Sequence, residues 1–475
     1  AIRYEVSEPV TALRVCHCTD CQKATGTGMS VNVVLPAAAW GEKSGTVTNS
    51  ERRISRQRPF RVAPGEARPD WWMFAEVGRK LGHHDAFAFA TPADVFREHA
   101  RLSAFENGGV RVFDLSGLAD IDDAAYDALV PVQWPVPGQS ARLYRDGRYS
   151  TPDRRARLIP VRHAAPVHAP TLRFPLRLNT GRIRDQWHTM AQTGRAARLA
   201  RHVPEPCVQV HPADAARFGL ESGGLAKITS AWGEAVARVQ VTPDQSLGDI
   251  FLPMHWSDAF TANCVAGRLI NPVVDPHSGQ PELKHTPVAI APMPVAAAGF
   301  LMSRDPVTPE AAYWTRIRVE GGSLYELADP SANAVRRWSA MIEGAPGELL
   351  EYRDPTRQVV RWARVDAGQL AACLFAGPAG AVPAREWLLQ CFADAELESD
   401  ARISLLSGRS ATPQPQRGRI VCSCFSVGLN PIVDALRTGA AVDVASLGAL
   451  LRAGTNCGSC LPELRSLVAQ TTVAA

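Results

Sequence analysis

Short apolar and polar runs set the pattern of this chain. Two β-branched stretches, 225–229 and 235–241, flank a turn at Trp232-Gly233 and predict a pair of strands. A second pair, 359–365 and 369–375, brackets Asp366-Ala367-Gly368 and predicts a hairpin. Trp72, Phe74, Val77 and Leu81 recur near helical spacing behind Pro69, so a helix is expected over 70–81 with those residues on its apolar face. The stretch 130–161 is dense in Pro, Arg and Gly and reads as surface connection. The expected fold class is mixed α/β and β, without internal repeats of solenoid period. Six pieces are expected: 1–35, 36–165, a compact β-rich domain at 167–293, a mixed α/β region at 296–405 with no assigned role, a polar linker at 406–418, and a small helical domain at 419–470.

The chain has 475 residues, 46% hydrophobic and 21% charged, enough to bury several cores. Its formal net charge of +4 comes without a basic run, so no nucleic-acid partner is expected. The longest apolar stretch, 288–302, is broken by Pro292 and Pro294, short of the roughly 18 residues that a membrane helix needs. No signal peptide is expected, so the chain reads as cytoplasmic without a membrane partner. It opens on Ala1 and reads as an interior or truncated piece.

Seven of the 11 cysteines are grouped: Cys16, Cys18 and Cys21, then Cys422, Cys424, Cys457 and Cys460. Short spacing points to metal ligation, whereas Cys207, Cys264, Cys373 and Cys391 read as small buried hydrophobes. A CxC pair and a CxxC pair can supply the four thiolates of a 2Fe-2S cluster, with Gly454 and Gly458 letting backbone amides approach sulfur. Leu464, Leu467 and Val468 give a following helix an apolar face. A four-Cys structural zinc site is the alternative. The segment 418–470, with its Gly-Thr-Asn-Cys-Gly-Ser-Cys phrase, resembles the bacterioferritin-associated-ferredoxin-like 2Fe-2S domain.

The apolar run 172–178 leads into Asn179-Thr180-Gly181-Arg182, then Trp187-His188-Thr189 and Thr193-Gly194-Arg195. A strand ending in a glycine turn crowded with hydroxyls and cations can hold pyrophosphate and ribose, although a polar strand-end loop can equally be structural. The phrase resembles the dinucleotide-binding domain of the molybdopterin oxidoreductases, the family of nitrate reductases and formate dehydrogenases. Two further phrases match the same domain, His211-Pro-Ala-Asp214-Ala215 and the run from Gly248 to Trp256. The resemblance implies a double-psi β-barrel. It also implies that Asn179, Thr180, Gly181, Arg182, Trp187, His188, Thr189, Arg195, Asn271 and Lys284 line molybdopterin guanine dinucleotide, which the intact family carries as a molybdenum bis-cofactor.

Leu35-Pro36, Trp40-Gly-Glu-Lys43, Gly45-Thr46 and Asn49-Ser-Glu-Arg52-Arg53 are similar to a segment of the assimilatory nitrate reductases in particular, as is Arg68-Pro-Asp-Trp-Trp72. Catalytic residues are not assigned. Arg52 and Arg53 are candidates for cofactor or substrate-anion contacts, or for ion pairing with Glu42 or Glu51. The first 35 residues, with Cys16-His17-Cys18-Thr-Asp-Cys21, resemble instead the glutathione-dependent formaldehyde-activating zinc family, in which such a phrase binds zinc. The two resemblances meet near 31–36 without a linker. The family's molybdenum-ligating and 4Fe-4S segments are expected to lie outside this chain.

The resemblances together imply part of an assimilatory nitrate reductase, with nitrate as substrate and an electron-donor protein or reductase subunit as partner. Two other readings stay open. One is a non-catalytic iron–sulfur electron-transfer module. The other is a zinc-dependent carbon–sulfur lyase acting on a glutathione adduct, which rests on residues 1–35 alone.

Overall fold

The computed structural model describes residues 12–16, 30–136, 138, 142–343, 347–412 and 416–473. They fall into two compact units, Ala1–His163 and Ala164–Ala475.

In the first unit, β1 (Ala12–Cys16) and β2 (Ser30–Val34) form an antiparallel pair. A separate three-stranded sheet holds β3 (Gly45–Thr48), β4 (Arg53–Gln57) and β5 (Val132–Gln133). Three helices follow β4 in sequence: α1 (Asp70–Lys80), α2 (Pro92–Ala104) and α3 (Asp123–Asp127). Helix α1 begins directly after Pro69 as expected, but a different face turns inward. Ala75 and Gly78 are buried, while Phe74, Val77 and Leu81 are exposed. The reason is the ring of Phe87, which lies where a β-carbon on Gly78 would sit, 2.3 Å away. Only small residues admit that approach, so residue size and not hydrophobicity sets the buried face. Ile54, Phe96, Ala100, Leu115 and Tyr126 form this unit's core.

The second unit opens on a closed six-stranded barrel, in the order β10-β6-β11-β8-β9-β7. Its strands are β6 (Leu176–Gly181), β7 (Cys207–Val210), β8 (Leu225–Thr229), β9 (Glu234–Val241), β10 (Asp249–Pro253) and β11 (Thr286–Met293). The β6–β10 and β7–β9 pairs are parallel and the other neighbours antiparallel. Strand alternation sends Leu176, Leu178 and Thr180 inward and leaves Arg177 and Asn179 outside. With Val208, Val210, Ile228, Ile250 and Leu252, the two leucines fill the barrel. Short helices α4 (Ala197–Ala200) and α5 (Pro212–Phe218) lie between β6 and β8.

Residues 297–377 build a six-stranded antiparallel sheet in the order β13-β14-β12-β17-β16-β15. The strands are β12 (Ala297–Ser303), β13 (Tyr313–Val319), β14 (Gly322–Asp329), β15 (Glu348–Asp354), β16 (Val359–Asp366) and β17 (Gln369–Gly377). The expected hairpin is β16–β17, and its two turn residues, Ala367 and Gly368, both take positive φ (46° and 79°). Positive φ at both positions is what the right-handed strand twist demands of a two-residue turn. Helices α6 (Ala334–Glu343), α7 (Glu386–Ala393) and α8 (Ser399–Ser404) accompany the sheet, whose two faces carry separate cores around Trp338–Trp362 and Phe300–Phe375–Phe392.

The last segment has a two-stranded ladder, β18 (Ile420–Cys422) with β19 (Val427–Gly428), and helices α9 (Leu429–Arg437), α10 (Val444–Leu451) and α11 (Leu461–Val473). Ile432, Leu447 and Leu464 share a small core with Cys422 and Cys460.

Candidate functional site

Two sites take shape in the second unit, a loop at the tip of β6 and a four-cysteine centre. At the tip, Thr180 is buried and its hydroxyl donates to the Leu283 carbonyl at 2.7 Å. Lys284 donates its ammonium to the Thr180 carbonyl. Gly181 faces Phe251, whose ring would lie 2.9 Å from a β-carbon there, with Lys284 Nζ at 3.6 Å. The turn thus keeps its backbone bare beside a lysine.

Beyond Gly181 the chain takes left-handed conformations at three non-glycine residues, Asp185 (φ 72°), His188 (43°) and Met190 (59°). Such strain persists only where the surroundings impose it. The buried ring of His255 does so: its Nε2 accepts the Ile183 N–H at 2.9 Å, and its Nδ1 lies 2.6 Å from the His188 carbonyl. These partners fix a neutral tautomer with the proton on Nδ1. Burial depresses the pKa of His255, the His188 carbonyl opposes this, and the charges of Arg182 and His188 add to the depression. The Arg182 guanidinium lies 4.5 Å from the centroid of Trp187, which is 55% exposed. Asn179, Arg182, Trp187, His188, Thr189 and Arg195 are all exposed around this tip.

Asn271 is placed differently from the rest of the expected set. It is buried and its amide is used within its own loop: Nδ2 donates to Glu282 Oε2, the His285 carbonyl and Thr286 Oγ1, and Oδ1 accepts from Val273 N–H. It shapes the turn that carries Lys284. In the first unit, Arg53 is exposed at the start of β4. Arg52, at φ 63°, donates to the Trp134 carbonyl at 2.9 Å and lies 5.5 Å from the Trp134 ring centroid. Cys16 ends β1, and Cys18 and Cys21 lie outside the described residues.

The four carboxyl-terminal cysteines are free thiols arranged in two pairs. Partly buried Cys424 and exposed Cys457 form one pair, with sulfurs 3.3 Å apart, and the Asn456 side-chain amide donates to Cys424 at 3.3 Å. Cys422 and Cys460 are the buried pair. Burial, then the neighbouring Cys422, pushes the Cys460 thiol up to about 11, against a backbone bond from Gly454. Gly454 needs its φ of 82° to make that approach, and a β-carbon there would strike Leu461 at 2.7 Å. Among the described residues, no three His, Cys, Asp or Glu side chains converge on one point. Two thiol pairs fit a two-iron cluster, in which each iron takes two thiolates, better than they fit one tetrahedral zinc.

The remaining cysteines behave as expected: Cys264, Cys373 and Cys391 are buried and Cys207 is partly so. Burial raises all four thiols, Cys207 and Cys373 to about 12 and Cys391 to about 11.

Polar contacts join the two sites. Arg184 donates to Glu463 Oε2 at 3.1 Å and to the Val421 carbonyl at 2.7 Å. Ser423 donates to Asp185 Oδ2 at 2.8 Å. His202 and Arg419 also face Glu463. Burial opposes ionisation of Glu463, but these partners outweigh it and hold its carboxyl at about 2. His255, Asp185, His202 and Glu463 escape sequence reasoning. His255 and Asp185 stand inside recognisable phrases, yet nothing local marks what they touch.

Comparison with known proteins agrees with this geometry. The "Molydopterin dinucleotide binding domain" family matches residues 176–287, the whole barrel up to the start of β11. The "BFD-like [2Fe-2S] binding domain" matches 420–470, and "Molybdopterin oxidoreductase" matches 5–80. Three separate stretches of the chain are thus similar to domains of molybdopterin oxidoreductases. The chain is 42% identical to a nitrate reductase of Klebsiella oxytoca over 476 residues, which cover 98% of the chain and 53% of that relative. It is 36% identical to a nitrate reductase of Shewanella frigidimarina, covering 61% of the chain and 34% of the relative. It is 31% identical to the assimilatory nitrate reductase catalytic subunit of Bacillus subtilis, covering 56% and 37%. The chain thus spans about half the length, or less, of these relatives. The match at 5–80 runs through Cys16, Cys18 and Cys21, the stretch that resembles the zinc family. No helix among the described residues is long and apolar enough to cross a membrane.

Proposed function

We propose that this chain supplies the cofactor-tail grip and an iron–sulfur module of a cytoplasmic assimilatory nitrate reductase, which reduces nitrate to nitrite. The observation that carries the reading is the tip of β6: a bare glycine turn beside Lys284, ringed by exposed Asn179, Arg182, Trp187, His188, Thr189 and Arg195. Cations and amides there suit a pyrophosphate, and the exposed Trp187 face suits a base or pterin ring. The two parallel strand pairs support a double-psi barrel. Asn271 serves the site by positioning the Lys284 turn. Arg52 and Arg53 remain candidates for contact with an anion.

Molybdopterin guanine dinucleotide, when bound, supplies the metal that exchanges oxygen and electrons with nitrate. The protein's own part here is to bind and orient. Lys284 and Arg182 would neutralise phosphate, His255 locks the loop that presents Arg182, and Cys422, Cys424, Cys457 and Cys460 would hold a 2Fe-2S cluster, which would supply one-electron chemistry for exchange with a donor protein. The four thiols and their small core favour the cluster even without the pterin, so a non-catalytic electron-transfer module is the second reading.

The test is release of guanine nucleotide from the denatured chain, read by chromatography, beside the electron paramagnetic resonance spectrum of the reduced chain. Nucleotide together with a 2Fe-2S signal is expected. A 2Fe-2S signal without nucleotide would leave only the second reading, and absence of both would end the proposal.

A further inference from the structure

Asp185 stands in the strained loop between Arg182 and Trp187, and its carboxylate reaches out of that loop. Oδ2 accepts from Ser423 at 2.8 Å and Oδ1 accepts from Ser459 at 3.4 Å. Ser423 is the residue between Cys422 and Cys424, and Ser459 directly precedes Cys460. One carboxylate therefore touches both cysteine loops, from positions 238 and 274 residues away in sequence. Its side chain is nearly buried, and Arg184 Nε lies 3.2 Å from Oδ2. Arg201 adds a bond of 3.1 Å to Ser426, and Arg184 holds the Val421 carbonyl.

We propose that Asp185 is a positioning residue that clamps the CxC and CxxC loops onto the nucleotide loop and fixes a negative charge beside the cluster they hold. The proposal rests on the iron–sulfur reading above for its second half only. A carboxylate with a φ of 72° is a strained choice in a loop whose other work is to present Arg182 and Trp187. The bonds to both serines account for it. A bond to each loop removes the freedom of the two thiol pairs to slide relative to one another. It also ties the cysteine centre to the loop that carries Arg182 and Trp187, so disturbance at either is felt at the other. A fixed negative charge next to an anionic cluster disfavours adding an electron, so it lowers the reduction potential.

The experiment uses the full chain and two variants. Asp185→Ala removes both bonds and the charge. Asp185→Asn removes the charge but keeps one acceptor for a serine and offers a donor to the other. Hydrogen–deuterium exchange is measured first on the chain without added iron. In Asp185→Ala the amides of 420–428 and 454–460 are expected to exchange about tenfold faster, as follows from losing one to two buried hydrogen bonds, and in Asp185→Asn close to the wild-type rate. After iron loading, the 2Fe-2S midpoint potential of Asp185→Asn is expected to be more positive than that of the wild type, because the charge is gone while the loops stay in place.

Unchanged exchange in Asp185→Ala overturns the clamp. Faster exchange with an unshifted potential in Asp185→Asn leaves a merely structural contact and overturns the proposed influence on the cluster. Failure of the wild type to develop a 2Fe-2S spectrum defeats the iron–sulfur reading instead, while the exchange result still decides the clamp.

Discussion

His255 holds the backbone of His188 by a ring nitrogen 2.6 Å from its carbonyl, while the opposite ring nitrogen accepts the Ile183 N–H. One neutral imidazole thus closes both ends of the loop that carries Arg182 and Trp187. The folded pKa of His255 lies below its ordinary value, so folding favours the neutral ring. The stability this contributes is present above about pH 6.5 and is lost as pH falls through the depressed folded value. Protonation would also set a second N–H against that of Ile183. We predict that Trp187 fluorescence reports loosening of the loop as pH falls from about 6.5 through the depressed folded value. His255→Phe should show the loosened signal at every pH, with about 1–3 kcal/mol of destabilisation from the unpaired Ile183 amide. A pH-independent Trp187 signal in the wild type would remove His255 as the lock.

The bare turn at Gly181 makes a sharper prediction for binding. A valine there would press on Phe251 and crowd Lys284 Nζ, displacing the ammonium proposed to meet a phosphate. Gly181→Val should release at least about tenfold less guanine nucleotide on denaturation, with about 1–3 kcal/mol of overpacking strain. Lys284→Met, which keeps the alkyl stem and removes the charge, should lose nucleotide while melting within about 1 kcal/mol of the wild type. If both variants retain nucleotide at wild-type stoichiometry, the tip of β6 is not where it binds.

Much of this was legible in the chain itself, because strand alternation and turn chemistry are local. The burial pattern of Leu176 to Thr180 follows from period two, and the Asp366-Ala367-Gly368 turn follows from backbone handedness. The cysteine module carries its own small core, so its spacing and apolar positions suffice to find it. The inward face of α1 was not legible, since it depends on Phe87, nine residues beyond Gly78. The use of Asn271 inside its own loop and the reach of Asp185 to Ser423 and Ser459 are products of tertiary approach, which no spacing in the sequence encodes.

The thiols differ enough to be told apart chemically. Cys457 is exposed, and its neighbour Ser459 lowers its pKa, whereas burial holds Cys460 at about 11. The thiolate is the nucleophile, so Cys457 should alkylate first at pH 7.5 in chain stripped of iron by a chelator. Cys207, Cys373 and Cys391, raised to about 11 or 12, should label only on unfolding. Restoring iron and sulfide should protect Cys457 and Cys424 together. Mass spectrometry of the labelled peptides checks the order. Protection of Cys457 without Cys424 would contradict the pairing seen here.

A buried polar network between the barrel and the antiparallel sheet sets the last prediction. Tyr313 donates to Glu205 at 2.8 Å, Arg238 donates to the same oxygen at 2.9 Å, and Arg385 pairs with buried Glu326. Burial raises the Glu326 carboxyl from 4.5 to about 7, with Arg385 opposing the shift and Glu205 adding to it. The folded state therefore prefers the protonated acid. That preference stabilises the fold below about pH 4.5 and is lost as pH rises through about 7, up to about 3 kcal/mol in all. Glu326→Gln keeps the shape and cannot ionise. Its melting temperature should exceed that of the wild type at pH 8.5, and the gap should narrow at pH 5.5. A gap of equal size at both values would mean that Arg385 keeps Glu326 ionised throughout, and the carboxyl would then contribute nothing to the pH dependence of stability.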